Sequence, residues 1–305
     1  MSSVLTVIEN LSLTVTPISL FLYITVLLVL LKNRNVPPFS NPFWKICLSL
    51  GVADILRICI LNIVSVPCFR GWSFCLETTS DVAEQNYLGL IQPIGLLLLA
   101  LNRWSGVICW NKHEEIWSSR NTLIGILFNW LFPVPVFIYL NFYVRFEMEI
   151  VDTGFGNISL LSVPTDATSW RQYKAVYTLF VVSLILTMCL CYVHVFIRLW
   201  QSEVQGQQHE ISAEERSLIF TAFSLLLVSM AYLAFNLFVA VLFGVASKQL
   251  LHRFLRFFTA VVVNAYSWAN VYILLVASTK LRAACQAACR GLTLAQMENQ
   301  VLSMN

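Results

Sequence analysis

The chain has 305 residues, 58% of them hydrophobic and only 11% charged, with a net charge of +3 and a mean hydropathy of +0.74. A soluble protein of this size carries roughly twice that charge, so a water-soluble globular domain is excluded. The basic residues are spread along the chain rather than clustered, and no nucleic-acid footprint results.

A bilayer core about 30 Å thick takes about 20 apolar residues per helical crossing. Apolar runs of that kind predict seven spans: Thr14–Leu31, Phe43–Val66, Asn86–Trp110, Asn121–Leu140, Tyr173–Trp200, Ser217–Val245 and Leu251–Val276. The expected fold is an all-α membrane protein, a seven-transmembrane helix bundle. Residues 1–13 are then an N-terminal segment, 14–276 the membrane domain and 277–305 a tail. The first run reads as a retained helix, because it lacks a basic start and Val29-Leu30-Leu31-Lys32 is a poor cleavage site.

Charge orients the bundle with the N-terminus outside. Lys32, Arg34, Lys45, Arg103, Lys112, Arg120, Arg198, Arg216, Lys280, Arg282 and Arg290 then face the cytosol. Arg70, Arg145, Arg171, Lys174, Lys248, Arg253 and Arg256 fall outside. Two glycosylation sequons, at Asn10 and Asn157, also fall outside in this topology, although short sequons arise by chance about as often.

Of nine cysteines, only Cys68 and Cys75 lie in an outer loop, where they form a bridge or stay as two free thiols. The outer loop 141–172 contains no cysteine, so no disulfide ties it to the third span. Cys285 and Cys289, four residues apart, stand in a segment that reads as a short amphipathic eighth helix on the cytosolic leaflet. Lys280, Arg282 and Arg290 there can meet anionic membrane lipid, and both thiols are palmitoylation candidates or plain membrane-facing cysteines.

Polar residues at membrane depth are costly and face the bundle interior. Asp54 and Arg57, three residues apart in the second span, share a helix face and can pair as a switch or as a structural ion pair. Asn102 and Arg103 close the third span, where the arginine either snorkels to headgroups or lies between helices. Tyr87 and Gln92, Tyr232 and Asn236, and Asn264 and Tyr266 lie at outer to middle depth in the third, sixth and seventh spans. They are candidate ligand-lining residues, with interhelical packing as the plain alternative. Asn270 stands deeper in the seventh span. The four histidines are isolated, and neither a metal motif nor a Gly-rich phosphate loop occurs, so no cofactor, metal or enzyme chemistry is expected.

These residues carry a resemblance. Leu50-Gly51-Val52-Ala53-Asp54, Leu101-Asn102-Arg103-Trp104 and Asn270-Val271-Tyr272 resemble the second-, third- and seventh-helix motifs of G-protein-coupled receptors. Asn41-Pro42-Phe43-Trp44-Lys45, Lys112-His113-Glu114-Glu115-Ile116-Trp117 and Glu214-Glu215-Arg216 are similar to the nematode serpentine chemoreceptors of the class gamma and class V group. The resemblance implies a multi-pass receptor of the plasma membrane, including the ciliary membrane of sensory cells. It implies a small-molecule ligand in the outer half, a heterotrimeric G protein at the cytosolic ends, and Asp54, Arg57, Asn102, Arg103 and Asn270 as the signalling switch. Homo- or hetero-oligomers remain open. There are departures. Asn102 replaces an acid, Val271 replaces a proline, and the last three spans lack proline altogether. Arg57 beside Asp54 supplies a cation already attached, so no sodium site is expected. A small transporter or channel is the rival class, but neither internal repeats nor a regular polar stripe is present.

Overall fold

The structure, a computed structural model, describes residues 2–65, 79–143, 146–152, 158–164, 167–204, 213–245 and 258–290. Helices α1 (Ser2–Asn33), α2 (Pro42–Ile60) and α3 (Thr79–Ile108) come first, followed by the short α4 (His113–Ile116). The fourth span is broken into α5 (Ser119–Leu131) and α6 (Val134–Phe142). Strands β1 (Phe146–Asp152) and β2 (Ile158–Pro164) precede α7 (Ala167–Val204), α8 (Ala213–Val245), α9 (Asn264–Ala277) and α10 (Thr279–Cys289).

Among the described residues, six stretches are long and apolar enough to cross a membrane: Asn10–Asn33, Pro42–Ile63, Glu84–Ile108, Ser119–Phe142, Gln172–Gln201 and Ile219–Phe238. The seventh, Val261–Ala277, meets α10 at a bend of 97°. Large apolar side chains such as Phe21, Leu179, Leu190 and Phe220 stay exposed, as expected of a lipid-facing surface.

Local sequence chemistry sets the breaks. Asn41 caps α2 by accepting from the Phe43 backbone N–H at 3.0 Å, and Pro42 opens the helix where its missing N–H costs nothing. Pro133 and Pro135 remove two helical donors and split the fourth span. Ser278 is extended, ends α9, and caps α10 by accepting from Leu281 N–H at 3.1 Å. The bend at Ser278 is what sets the eighth helix across the bundle. Arg282 then turns back and donates to the Leu275 carbonyl at 2.7 Å and to the Val276 carbonyl, satisfying the end of α9.

The helices are also interrupted without proline. Five-residue-period π turns occupy Leu61–Ser65 after α2 and Phe258–Val263 before α9. The Asn62 and Asn264 amides pair across these two turns, at 3.0 and 3.3 Å.

In lipid, helices gain little from apolar burial against one another, so close approach and polar contacts decide their packing. The central helix is α3, which packs on α2, α5, α6, α7 and α8. Gly95 lets α2 close on it, because a Cβ there would stand 2.2 Å from Leu50 Cδ2 and 3.1 Å from the Asn129 amide. Gly51 plays the same part toward α1, where a Cβ would come within 2.6 Å of Leu27.

The antiparallel β1–β2 hairpin pairs Phe146 with Pro164 through to Asp152 with Ile158. It joins α6 to α7 in chain order, in a segment the sequence reading treats as a plain loop. The alternation of Phe146, Met148 and Ile150 with Glu147 and Glu149 is the period-two signal for it. Below, the two ends of the bundle are called the hairpin end and the Arg103 end.

Candidate functional site

Four spans converge on one buried carboxylate. Asp54 of α2 has no exposed surface. Its Oδ2 accepts from the Tyr23 hydroxyl of α1 at 2.7 Å and from the Asn270 amide of α9 at 2.6 Å. Its Oδ1 accepts from the Gln92 amide of α3. The same Tyr23 hydroxyl lies 2.7 Å from the Ser267 carbonyl, so its single proton is shared between two acceptors. A carboxylate in this setting tolerates burial only because donors from three other helices meet it.

Arg57, one turn along α2 toward the hairpin end, is 4% exposed. It makes no direct contact with Asp54. Gln92 stands between them, accepting from Arg57 Nη1 with its carbonyl oxygen and donating to Asp54 with its amide nitrogen. The expected helix-face pair is thus a three-residue relay whose middle member comes from another helix. Arg57 Nη2 donates to the Tyr232 hydroxyl of α8 at 2.9 Å. The guanidinium lies 5.6 and 5.8 Å from the Tyr232 and Tyr266 ring centroids, and those rings stack at 4.2 Å with their planes 6° apart. Arg57 Nε is buried and reaches no acceptor.

The other candidate lining residues divide. Gln92, Tyr232 and Tyr266 join this cluster, whereas Asn264 pairs with Asn62. Asn236 turns its amide onto its own helix, donating to the Tyr232 carbonyl at 2.8 Å. Tyr87 donates to the Trp130 carbonyl at 2.8 Å, just ahead of the Pro133 break. Nearer the hairpin end, Lys174 donates to Asn86 at 3.3 Å and lies over the Tyr173 and Tyr177 rings.

At the opposite end, Arg103 lies between helices rather than in headgroups, with 7% of its surface exposed. It donates to Asn102 through Nε at 3.1 Å and packs 4.6 Å from the centroid of the Phe43 ring of α2. The residues after it form a second small network. Ser105 Oγ accepts from Trp117 Nε1 at 2.7 Å and lies 3.1 Å from His113 Nδ1, which holds α4 against the end of α3. A narrow cavity lined by Tyr23, Leu50, Gly51, Asn270, Val271 and Leu274, among others, separates this end from the Asp54 cluster.

Cys68, Cys75 and Asn157 lie outside the described residues. Asn10 is exposed within α1. Cys285 is half-buried against the core, beside the buried Leu281 and Ala284; the Cys289 side chain lies outside the described residues. Among the described residues, no group of His, Cys, Asp and Glu could hold a metal.

Tyr23 is the functional residue that sequence reasoning misses. Its signal is a polar stripe on the first span, contrary to the expectation that no span carries one: Ser12, Thr16, Ser19 and Tyr23 recur at helical spacing and all four are buried.

The sequence family described as "Serpentine type 7TM GPCR chemoreceptor Srv" matches residues 12–289. Among curated proteins, Serpentine receptor class V-1 of Caenorhabditis elegans is 28% identical over 137 residues, 42% of this chain. That alignment covers 43% of the relative, so the chain spans less than half the length of the curated protein it matches. A family match running from the first span to the eighth helix, on a bundle of this layout, makes the chain a multi-pass membrane protein of the Srv family of serpentine seven-transmembrane GPCR chemoreceptors, a family of receptors rather than enzymes.

Proposed function

We propose that the chain is a chemosensory receptor of the plasma membrane, the ciliary membrane of sensory cells included, with its N-terminus and hairpin end outside. A small ligand binds in the outer half of the bundle, and a heterotrimeric G protein is activated at the Arg103 end. The observation that carries this reading is the convergence of α1, α2, α3 and α9 on Asp54, with α8 joined through Arg57. A ligand that shifts the Arg57, Tyr232 and Tyr266 layer acts on helices that all share that hub. Binding then favours one helix arrangement over another, by as much as its affinity differs between the two.

Arg103 is the output group of this reading. Its hydrogen bond to Asn102 is within α3, and its ring contact is with Phe43 of α2. A small separation of α2 and α3 at this end removes the Phe43 contact and changes the setting of the guanidinium that faces a G protein. Arg103→Ala is expected to reach the cell surface normally and to signal at least about tenfold less, a loss of about 1.4 kcal/mol or more in coupling. Undiminished signalling at equal surface level removes that role. Glycosidase sensitivity of the chain, lost in Asn157→Gln, tests the outside N-terminus; a chain without glycan at Asn157 counts against it. A Cys68–Cys75 bridge and acylation of Cys285 and Cys289 belong to the same reading.

A further inference from the structure

We propose that Arg57 anchors the carboxylate of a small organic anion, and that such anions are the ligand class of this receptor. The assignment rests on the receptor reading above and gives its ligand a chemistry.

The argument starts from the guanidinium. Nη1 is taken by Gln92. Along the opposite edge, Nε–H and Nη2–H run parallel and form the fork that takes a carboxylate side-on. On that edge Nε has no acceptor at all, and Nη2 meets only the Tyr232 hydroxyl, at 2.9 Å. A buried donor without an acceptor is costly, and a neutral phenol oxygen is a weaker acceptor for guanidinium than a carboxylate. One carboxylate would satisfy both donors.

Charge points the same way. Gln92 separates Arg57 from Asp54, and both carboxylate oxygens of Asp54 are occupied by donors from α1, α3 and α9. Lys174, toward the hairpin end, lies 5.4 Å from the Tyr177 ring centroid, and the Tyr177 hydroxyl faces Gly89 together with Arg57 Nη2. Two cationic side chains, Arg57 and Lys174, therefore lie along the same tyrosine. The stacked Tyr232 and Tyr266 rings give a flat apolar wall beside the guanidinium. Opposite, Gly89 presents only backbone, and its missing side chain lets Arg57 and Tyr177 approach closely, since a Cβ there would stand 3.7 Å from Nη2 and 3.3 Å from the Tyr177 hydroxyl. The site thus fits an acid with an apolar or aromatic body. Its binding would release Tyr232 from Arg57 and so act on α8.

The test uses the purified full-length receptor in lipid nanodiscs. Straight-chain acids from butyrate to decanoate, benzoate and phenylacetate are each titrated against their methyl esters, with the melting temperature as readout. At least one acid should raise the melting temperature in a dose-dependent way while its ester does not. Tyr232→Phe keeps the ring stack but removes the competing phenol oxygen, so it should tighten that acid's binding about threefold or more. Arg57→Lys loses the fork and should weaken binding about tenfold. The site is overturned if no acid exceeds its ester in either the wild-type receptor or Tyr232→Phe. It is also overturned if Tyr232→Phe binds the acid no more tightly, or if a folded Arg57→Lys binds it as well as wild type. A G-protein response to uncharged compounds without an acid-dependent shift overturns the anion site and leaves the receptor reading standing. An acid-dependent shift with no G-protein response does the reverse.

Discussion

The two arginines buried among the described residues, Arg57 and Arg103, occupy opposite kinds of surroundings. Arg57 is tied to α3 and α8 through Gln92 and Tyr232 and stands one turn from a carboxylate that also gathers α1 and α9. Arg103 folds against its own neighbour Asn102 and the face of one ring, Phe43. The first arrangement spans helices and resists change, because moving any one of them leaves buried polar groups unpaired. The second includes a bond within its own helix and an aromatic contact to α2, and neither ties it to the Asp54 hub. A receptor needs both: a middle that makes the helices move together, and an end that lets go.

Substitutions should separate these two roles. The largest effect is expected from Asp54→Ala, which strands the Gln92 and Asn270 amides and leaves Tyr23 only the Ser267 carbonyl. A loss of about 3–5 kcal/mol follows from removing one member of such a buried charged network. Measured as surface expression, it should be near zero, and normal expression would break the comparison at its strong side. Next comes Gly95→Leu, which forces a side chain into the place of Leu50 where α2 and α3 touch. Overpacking there should cost about 1–3 kcal/mol and lower the melting temperature of the detergent-solubilised protein. Phe43→Ala should leave expression close to normal but raise ligand-independent signalling, since Arg103 then loses the ring that holds it; unchanged basal signalling would remove Phe43 from the account. The smallest effect is expected from replacing sodium by choline in the medium. With Arg57 and Gln92 already serving the Asp54 region, ligand affinity should stay within about twofold, and a shift of tenfold or more would contradict that occupancy.

Much of this architecture is legible in the amino-acid sequence. The apolar runs mark the spans, and Asp54, Arg57, Arg103 and Asn270 stand out because charges and amides are rare among them. What the sequence hides is rotation and depth between helices. Asp54 and Arg57 share a helix face, and that alone suggests a direct pair. Only the position of α3 shows that Gln92 fits between them. Tyr23 looks like one more aromatic residue in an apolar run until the stripe through Ser12, Thr16 and Ser19 is followed. Arg282 reads as a lipid-facing cation, yet the bend at Ser278 turns it back onto the last carbonyls of α9. Proline counting misses the helix irregularities as well, because the π turns at Leu61–Ser65 and Phe258–Val263 need no proline.

The central claim is that ligand-driven movement of the shared middle is read out at the Arg103 end by a G protein. The direct measurement is ligand-dependent G-protein activation in cells carrying wild type or Arg103→Ala at matched surface level, with uptake and current recorded in the same cells. The account predicts activation by wild type, a loss of about tenfold or more in Arg103→Ala, and neither uptake nor current. Ligand uptake or current that persists in Arg103→Ala, without G-protein activation by either chain, would contradict it.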